Sequence, residues 1–202
     1  MVETAIRIVD EHGADALTMR SLAERLNSST ATLYRHFPNR AKLIAAVMDR
    51  VVGELDANAL PGTWREFCEG FTRGWFEVLR RHRNVAILMA DQMPEGPNST
   101  AAAEKWLAVL LDNGFSLELA ARASTTLGHY VQGFAIQLGG KRDASDLDEN
   151  FYDRMAEGLD PRTYPALSAA IEARVLPVPL EEEFVFGLDL ILDSLERSSG
   201  GA

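Results

Sequence analysis

Between residues 17 and 37 the sequence sets a run of hydrogen-bonding side chains along one side of a short segment of helical periodicity: Thr30, Thr32, Tyr34, Arg35 and His36. Hydroxyls, a guanidinium and an imidazole can meet the donors, acceptors and thymine methyls of base edges, and a DNA major groove admits one α-helix. The first turn of such a helix also aims backbone N–H groups at phosphate. On the opposite side, Leu22, Ala23 and Leu26 form the inner face of one helix, and Leu33 and Phe37 that of the next. Ala23 is small where the two must cross closely, and the link at 27–29 suits a steep helix–turn–helix angle. By spacing alone, an ordinary helical hairpin with a solvated polar face fits the stretch equally well.

Enzymatic chemistry finds little footing. None of His12, His36, His82 and His129 stands in a His-Glu-x-x-His pattern, and neither Gly-x-Ser-x-Gly nor Gly-x-Gly-x-x-Gly occurs. Cys68, the lone cysteine, has no evident partner. The carboxylates Glu181, Glu182 and Glu183 read as a solvated helix start, favourable to the helix dipole. No enzyme, metal or cofactor is expected. One cysteine, no leader pattern and no apolar run near the roughly 20 residues that span a bilayer point to a reducing cytoplasm and no membrane.

The elements that must hold the polar face read as helices throughout, so the fold class is all-α: a small three-helix DNA-binding domain over 1–48 and a larger helical domain over 49–202. Apolar periodicity broken by Gly, Pro and Asn predicts helices over 2–12, 19–26, 29–36, 39–57, 63–82, 84–92, 100–113, 117–138, 161–173 and 180–197. Segments 93–99 and 139–152 are expected as loops, the second because it is polar and acidic. Thr18, Ser29 and Asn39 are placed to cap helix starts. The formal net charge of −10 argues against nucleic acid at first sight. Its distribution argues back, because residues 20–50 carry six basic side chains against two acidic ones.

A second constellation lies in the middle helices. Phe71, Trp75, Met89, Met93, Trp106 and Leu110 form an aromatic and methionine-rich set, and His129 and Gln132 are polar positions on the helix that follows. Apolar walls with a few polar groups describe a small-molecule cavity. Plain core packing explains such a stripe as well. On the last helix, Phe184, Leu188, Ile191 and Leu195 make an apolar stripe, widened by Val185 and Leu192. A face that wide suits a subunit interface or a core.

The phrases Ala16-Leu-Thr-Met-Arg-Ser-Leu-Ala-Glu-Arg-Leu26 and Thr32-Leu-Tyr-Arg-His-Phe-Pro-Asn-Arg-Ala-Lys-Leu43 decide between these readings. Over residues 2–50 the chain resembles the DNA-binding region of the TetR family of bacterial transcriptional regulators. Asp112-Asn-Gly-Phe-Ser116, Tyr164-Pro-Ala-Leu167 and Phe184-Val-Phe-Gly-Leu-Asp-Leu-Ile-Leu-Asp-Ser-Leu-Glu196 extend the likeness to the tetracycline-repressor branch over 63–197. The resemblance implies that Arg20 reaches a base edge from the first helix and that Thr30, Ala31 and Thr32 open the recognition helix. It implies that Tyr34 and His36 hold phosphate or sugar, that Arg35 varies with the operator, and that Arg40 clamps the DNA backbone. Asn27 stands for the family's usual glycine and Ser28 for a small apolar residue. Members of the family usually carry a basic segment before the first helix, which here is expected to start at residue 2.

The resemblance further implies a homodimer in which 117–138 and 180–197 pair with their twofold copies. Its partners would be a palindromic double-stranded operator and a small organic ligand that releases the protein from it. A helical adaptor that has lost DNA binding is the alternative. The branch holds tetracycline as a magnesium chelate through a histidine and an acidic residue. Here 84–90 contains no histidine, Gln137 stands at the late acidic position and Trp106 replaces a glutamine. The expectation is a flat, apolar or aromatic ligand without metal.

Overall fold

The computed structural model of the chain describes residues 1–57, 59–60, 62–89, 94–138, 149–176 and 178–199. Among these, all regular structure is helical. Chain order is α1 (Val2–His12), a 3-10 turn (Ala14–Ala16), α2 (Met19–Arg25), α3 (Thr30–His36), α4 (Arg40–Val52), α5 (Trp64–Arg81), α6 (Arg83–Leu88), α7 (Pro97–Asp112), α8 (Leu117–Leu138), α9 (Glu149–Glu157), α10 (Pro165–Glu172) and α11 (Leu180–Ser199).

The N-terminal helices begin where their caps stand. Thr18 Oγ1 accepts from the Ser21 N–H at 3.0 Å and Ser21 Oγ accepts from the Thr18 N–H at 2.9 Å, a reciprocal capping box. Ser29 Oγ accepts from the Thr32 N–H at 3.2 Å, and Asn39 Oδ1 from the Lys42 N–H at 2.9 Å. Each such cap is worth about 1 kcal/mol. Asn27 lies at φ 49°, the left-handed conformation that an asparagine adopts at modest cost where the chain turns between α2 and α3.

Boundaries elsewhere differ from the periodicity for local reasons. α4 stops at Val52 rather than 57, with Gly53 at its C-cap. α6 ends at Leu88, and α7 starts at Pro97 instead of 100, with proline in its first turn, where a missing N–H costs nothing. α10 starts at Pro165 rather than 161, because Asp160 accepts from the Arg162 N–H at 3.0 Å and from Thr163 Oγ1 at 2.8 Å, holding a turn. The expected loop 139–152 runs into α9, whose Phe151, Tyr152 and Met155 are half-buried, so its polar composition concealed an amphipathic helix. Residues 139–148 lie outside the described residues.

The chain forms two compact units, one of 1–139 with 192–202 and one of 140–191. In the first, α1 packs on α4 and α6, α4 packs on α7, and α8 runs along α5, α6 and α7. Its core includes Leu17, Leu22, Leu33, Leu43, Met48, Phe67, Leu79, Leu110 and Leu127. In the second, Ile171, Phe184 and Leu188 are buried. These units are not divided at 48/49, where the sequence suggests a functional boundary.

Candidate functional site

Leu33 is fully buried and fixes the rotation of α3. That rotation leaves Thr30, Ala31, Tyr34, Arg35 and His36 exposed, with Thr32 half-buried beneath its cap. The basic residues around them are mostly engaged. Arg20 Nε donates to Glu24 Oε1 at 2.9 Å, and that hydrogen bond, with the carboxylate's charge, raises the arginine's already high pKa. Arg25 pairs with Glu11, Lys42 with Glu95 at 2.7 Å, and Arg50 with Glu3 at 2.6 Å. The Lys42 ammonium holds the Glu95 carboxyl below its ordinary range. Among the described residues, Arg35 makes no ion pair or side-chain hydrogen bond, so all five guanidinium donors face outward uncommitted. The +4 excess read from the sequence is therefore largely neutralised within the chain, and what remains free is concentrated on α3.

Arg40, expected to clamp the DNA backbone, also makes two contacts within the fold. Its Nε donates to the Leu17 carbonyl at 2.7 Å and its Nη2 to the Ala14 carbonyl at 3.0 Å. A carbonyl oxygen has two lone pairs, and a planar guanidinium fork can donate to two carbonyls at once. Arg40 thus stitches the start of α4 to the turn before α2. Arg40→Ala is expected to lower stability by about 1–3 kcal/mol, the usual worth of hydrogen bonds from a charged donor. Denaturant unfolding checks this. A loss in DNA salt slope of about 0.9 per subunit with unchanged stability would mean that Arg40 serves phosphate and not the fold.

A cavity of about 290 Å³ lies in the same unit. Phe71 and Trp75 from α5, Met89, Trp106 from α7, and His129 and Gln132 from α8 all line it, as expected from their residue types. Leu110 does not. It is fully buried in the core, one turn beyond Trp106 on α7. Met93 lies outside the described residues. The sequence reading missed Val52 of α4, Pro94, Ser99, and Ser124, Thr125 and Gly128 of α8. Small and hydroxyl residues carry no aromatic signal, although positions 124, 125, 128, 129 and 132 form one helical stripe that spacing could have revealed. Gln137 is exposed and is not part of the lining.

The cavity's apolar wall is built of rings packed edge to face. The Phe71 and Trp106 rings meet edge to face at 4.6 Å and 90°, and Phe67 backs Trp106 at 5.5 Å. The polar lining is gathered on α8 and at Ser99. Among the described lining residues there is no carboxylate. Cys68 is fully buried, and burial pushes its thiol up to about 12, so it cannot supply a thiolate nucleophile at neutral pH.

The stripe expected as a subunit interface is divided by the fold. Phe184 and Leu188 are 2% and 0% exposed within the single chain, so neither offers a surface to a partner. Ile191 and Leu195 are half-buried. The apolar side chains that α11 leaves in solvent are Phe186 and Leu190, at 66% and 55% exposure. A helix with apolar residues on more than one side can turn either side inward, and here Phe184 and Leu188 are the buried ones.

Residues 1–47 match the family described as bacterial regulatory proteins, tetR family, and residues 58–198 match the tetracyclin repressor-like C-terminal domain. The class G tetracycline repressor of Vibrio anguillarum is 29% identical, over 98% of this chain and 92% of its own length. The class A tetracycline repressor from Escherichia coli is 30% identical, over 98% and 89%. Among solved structures, ActR from Streptomyces coelicolor in complex with actinorhodin superposes with a TM-score of 0.85 at 29% identity, covering 98% of this chain and 96% of that one. A TetR variant from Acinetobacter baumannii in complex with minocycline gives 0.73 at 28% identity, covering 100% and 93%. Described residues include no helix long and apolar enough to cross a membrane. An exposed polar helix α3, an aromatic cavity in the same unit and these two successive matches lead to one conclusion: the chain belongs to the TetR family of bacterial transcriptional regulators.

Proposed function

We propose that this protein is a cytoplasmic repressor that binds a palindromic operator as a homodimer and leaves it when a flat, largely aromatic ligand enters the cavity. Residues 1–48 read DNA, and 49–202 hold the ligand and the partner subunit. The observation that carries the reading is the outer face of α3, where Thr30, Tyr34, Arg35 and His36 are exposed and Arg35 is uncommitted. A twofold dimer presents two such helices about 34–36 Å apart, one turn of DNA. An adaptor without DNA binding would have no use for a free guanidinium at that position.

Selection from random duplex DNA, followed by a salt series, tests this. The wild type is expected to enrich a palindrome and to bind it less tightly as salt rises. No enrichment at low salt would overturn the reading. In the same selection Arg35→Ala is expected to relax preference at one base pair per half-site, where a lost bidentate contact is worth about 1–3 kcal/mol. An identical selected sequence would remove Arg35 from the reading of bases.

Ligand chemistry follows from the lining. Magnesium takes hard oxygen ligands in octahedral geometry and usually at least one carboxylate. The described lining offers none, and Phe71, Trp75 and Trp106 favour a planar ring system oriented by His129 or Gln132. ActR, solved with actinorhodin, supports a small-molecule ligand. Calorimetry is expected to show no magnesium-dependent tetracycline binding. Submicromolar binding abolished by a chelator would overturn the metal-free reading.

A further inference from the structure

Asp49 is the charged residue that the fold buries, at 7% exposure among the described residues. It sits on α4, yet its partners are on α7. Asp49 Oδ1 accepts from the Ser99 backbone N–H at 2.8 Å and from Ser99 Oγ at 2.7 Å. Oδ2 accepts from Asn98 Nδ2 at 3.0 Å, and the same Nδ2 donates to the Asp49 carbonyl at 3.2 Å. The N-cap of α7 is Gly96, which has no side chain to satisfy the free N–H groups of the first turn. A carboxylate borrowed from α4 fills that role, and a negative charge there also suits the positive end of the helix dipole.

The joint is tight. A Cβ on Gly96 would lie 2.3 Å from Asp49 Cγ, and a Cβ on Gly53 would lie 2.8 Å from Asn98 Cγ. Backbone therefore meets side chain on both sides without slack. One end of the joint is α4, which follows α3 directly after residues 37–39. The other end reaches the cavity, since Ser99 lines it, and so does Val52, less than one turn after Asp49. Both halves of the joint therefore contribute to the cavity lining. Asp49 lies in the stretch 48–57 between the two family matches, and Asn98 and Ser99 lie within the second.

We propose that Asp49 is the positioning residue that couples the ligand cavity to the recognition helix, by holding the first turn of α7 rigidly to α4. The inference rests on the DNA-binding function proposed above. A ligand that displaces Ser99 moves α4, and with it α3, because a charge-assisted cap with two backbone-tight contacts cannot stretch without breaking. Linkage makes this reciprocal: DNA that fixes α3 must also steady the start of α7.

The test needs no ligand. Hydrogen exchange of the full chain is measured with and without the duplex selected by the wild type. In the wild type, DNA is expected to slow exchange of the Ser99 and Thr100 amides by about fivefold or more, the lower end of usual coupling. In Asp49→Asn that DNA-dependent change is expected to fall below about twofold, while DNA still protects α3 amides. Ser99→Ala removes only one donor and is expected to give an intermediate change, which keeps the test available if Asp49→Asn does not fold. A purely structural Asp49 would lower α7 protection equally with and without DNA. An equal DNA response in wild type and variants, or no response at α7 in a wild type that binds DNA, overturns the coupling. A wild type that selects no DNA overturns the proposed function, and the coupling with it.

Discussion

Leu188→Glu is expected to unfold the chain, whereas Phe186→Glu is expected to leave it folded and split the dimer. Leu188 is completely buried, so the substitution removes a packed side chain and forces a carboxyl group into an apolar site. Losing the leucine alone costs about 2–5 kcal/mol, and an unpaired polar group adds to it. Against a total stability of about 5–15 kcal/mol, that leaves little or no native state. Phe186 is 66% exposed in the single chain, and an exposed substitution of this kind moves stability by about 0.5 kcal/mol or less. In a dry interface between subunits the same glutamate would be an unpaired buried charge. Light scattering and circular dichroism separate the outcomes. Helical, monomeric Phe186→Glu with unfolded Leu188→Glu supports the assignment. A folded, monomeric Leu188→Glu would show that the buried stripe, not the exposed one, is the subunit interface.

Trp106→Ala is expected to cost about 3–5 kcal/mol, the usual range for truncating a buried aromatic. Trp106 is 5% exposed and lies edge to face with both Phe67 and Phe71. Such ring pairs add about 0.5–1.5 kcal/mol each beyond buried area. Its loss would also merge the space it fills with the cavity it walls. Trp106→Phe keeps a ring at the site and is expected to recover more than half of the lost stability. Urea midpoints at constant slope measure both. A Trp106→Ala protein within about 1 kcal/mol of wild type would mean that the wall collapses freely and is no rigid template for a planar ligand.

Local rules account for much of the N-terminal region. Thr18, Ser29 and Asn39 stand where helix starts need an acceptor, and each accepts the expected backbone N–H. Asn27 takes the left-handed turn that an asparagine tolerates. The recognition face was legible because Leu33 and Phe37 fix one side of a seven-residue helix, which leaves the other side no choice but solvent. The cavity was half legible, since aromatic and methionine residues announce themselves while Ser99, Ser124 and Thr125 do not.

By itself, then, the sequence determined the helical class, the placement of most helices, the family and the outward face of α3, all of which depend on periodicity, caps and short motifs close in the chain. Tertiary structure decided what depends on partners far apart in the chain. Arg40 has spare charge in the sequence, and only the approach of the 14–17 carbonyls commits it to the fold. On α11 the period is the same for the stripe through Leu188 and for the pair Phe186 and Leu190, and only packing against other helices selects which is buried. Asp49 reads as one more polar residue late in a helix, until α7 arrives with a glycine at its N-cap and an N–H left to satisfy. A helical period gives the angle between side chains but not the direction of the core, and a buried polar group is defined by a partner that no local pattern contains.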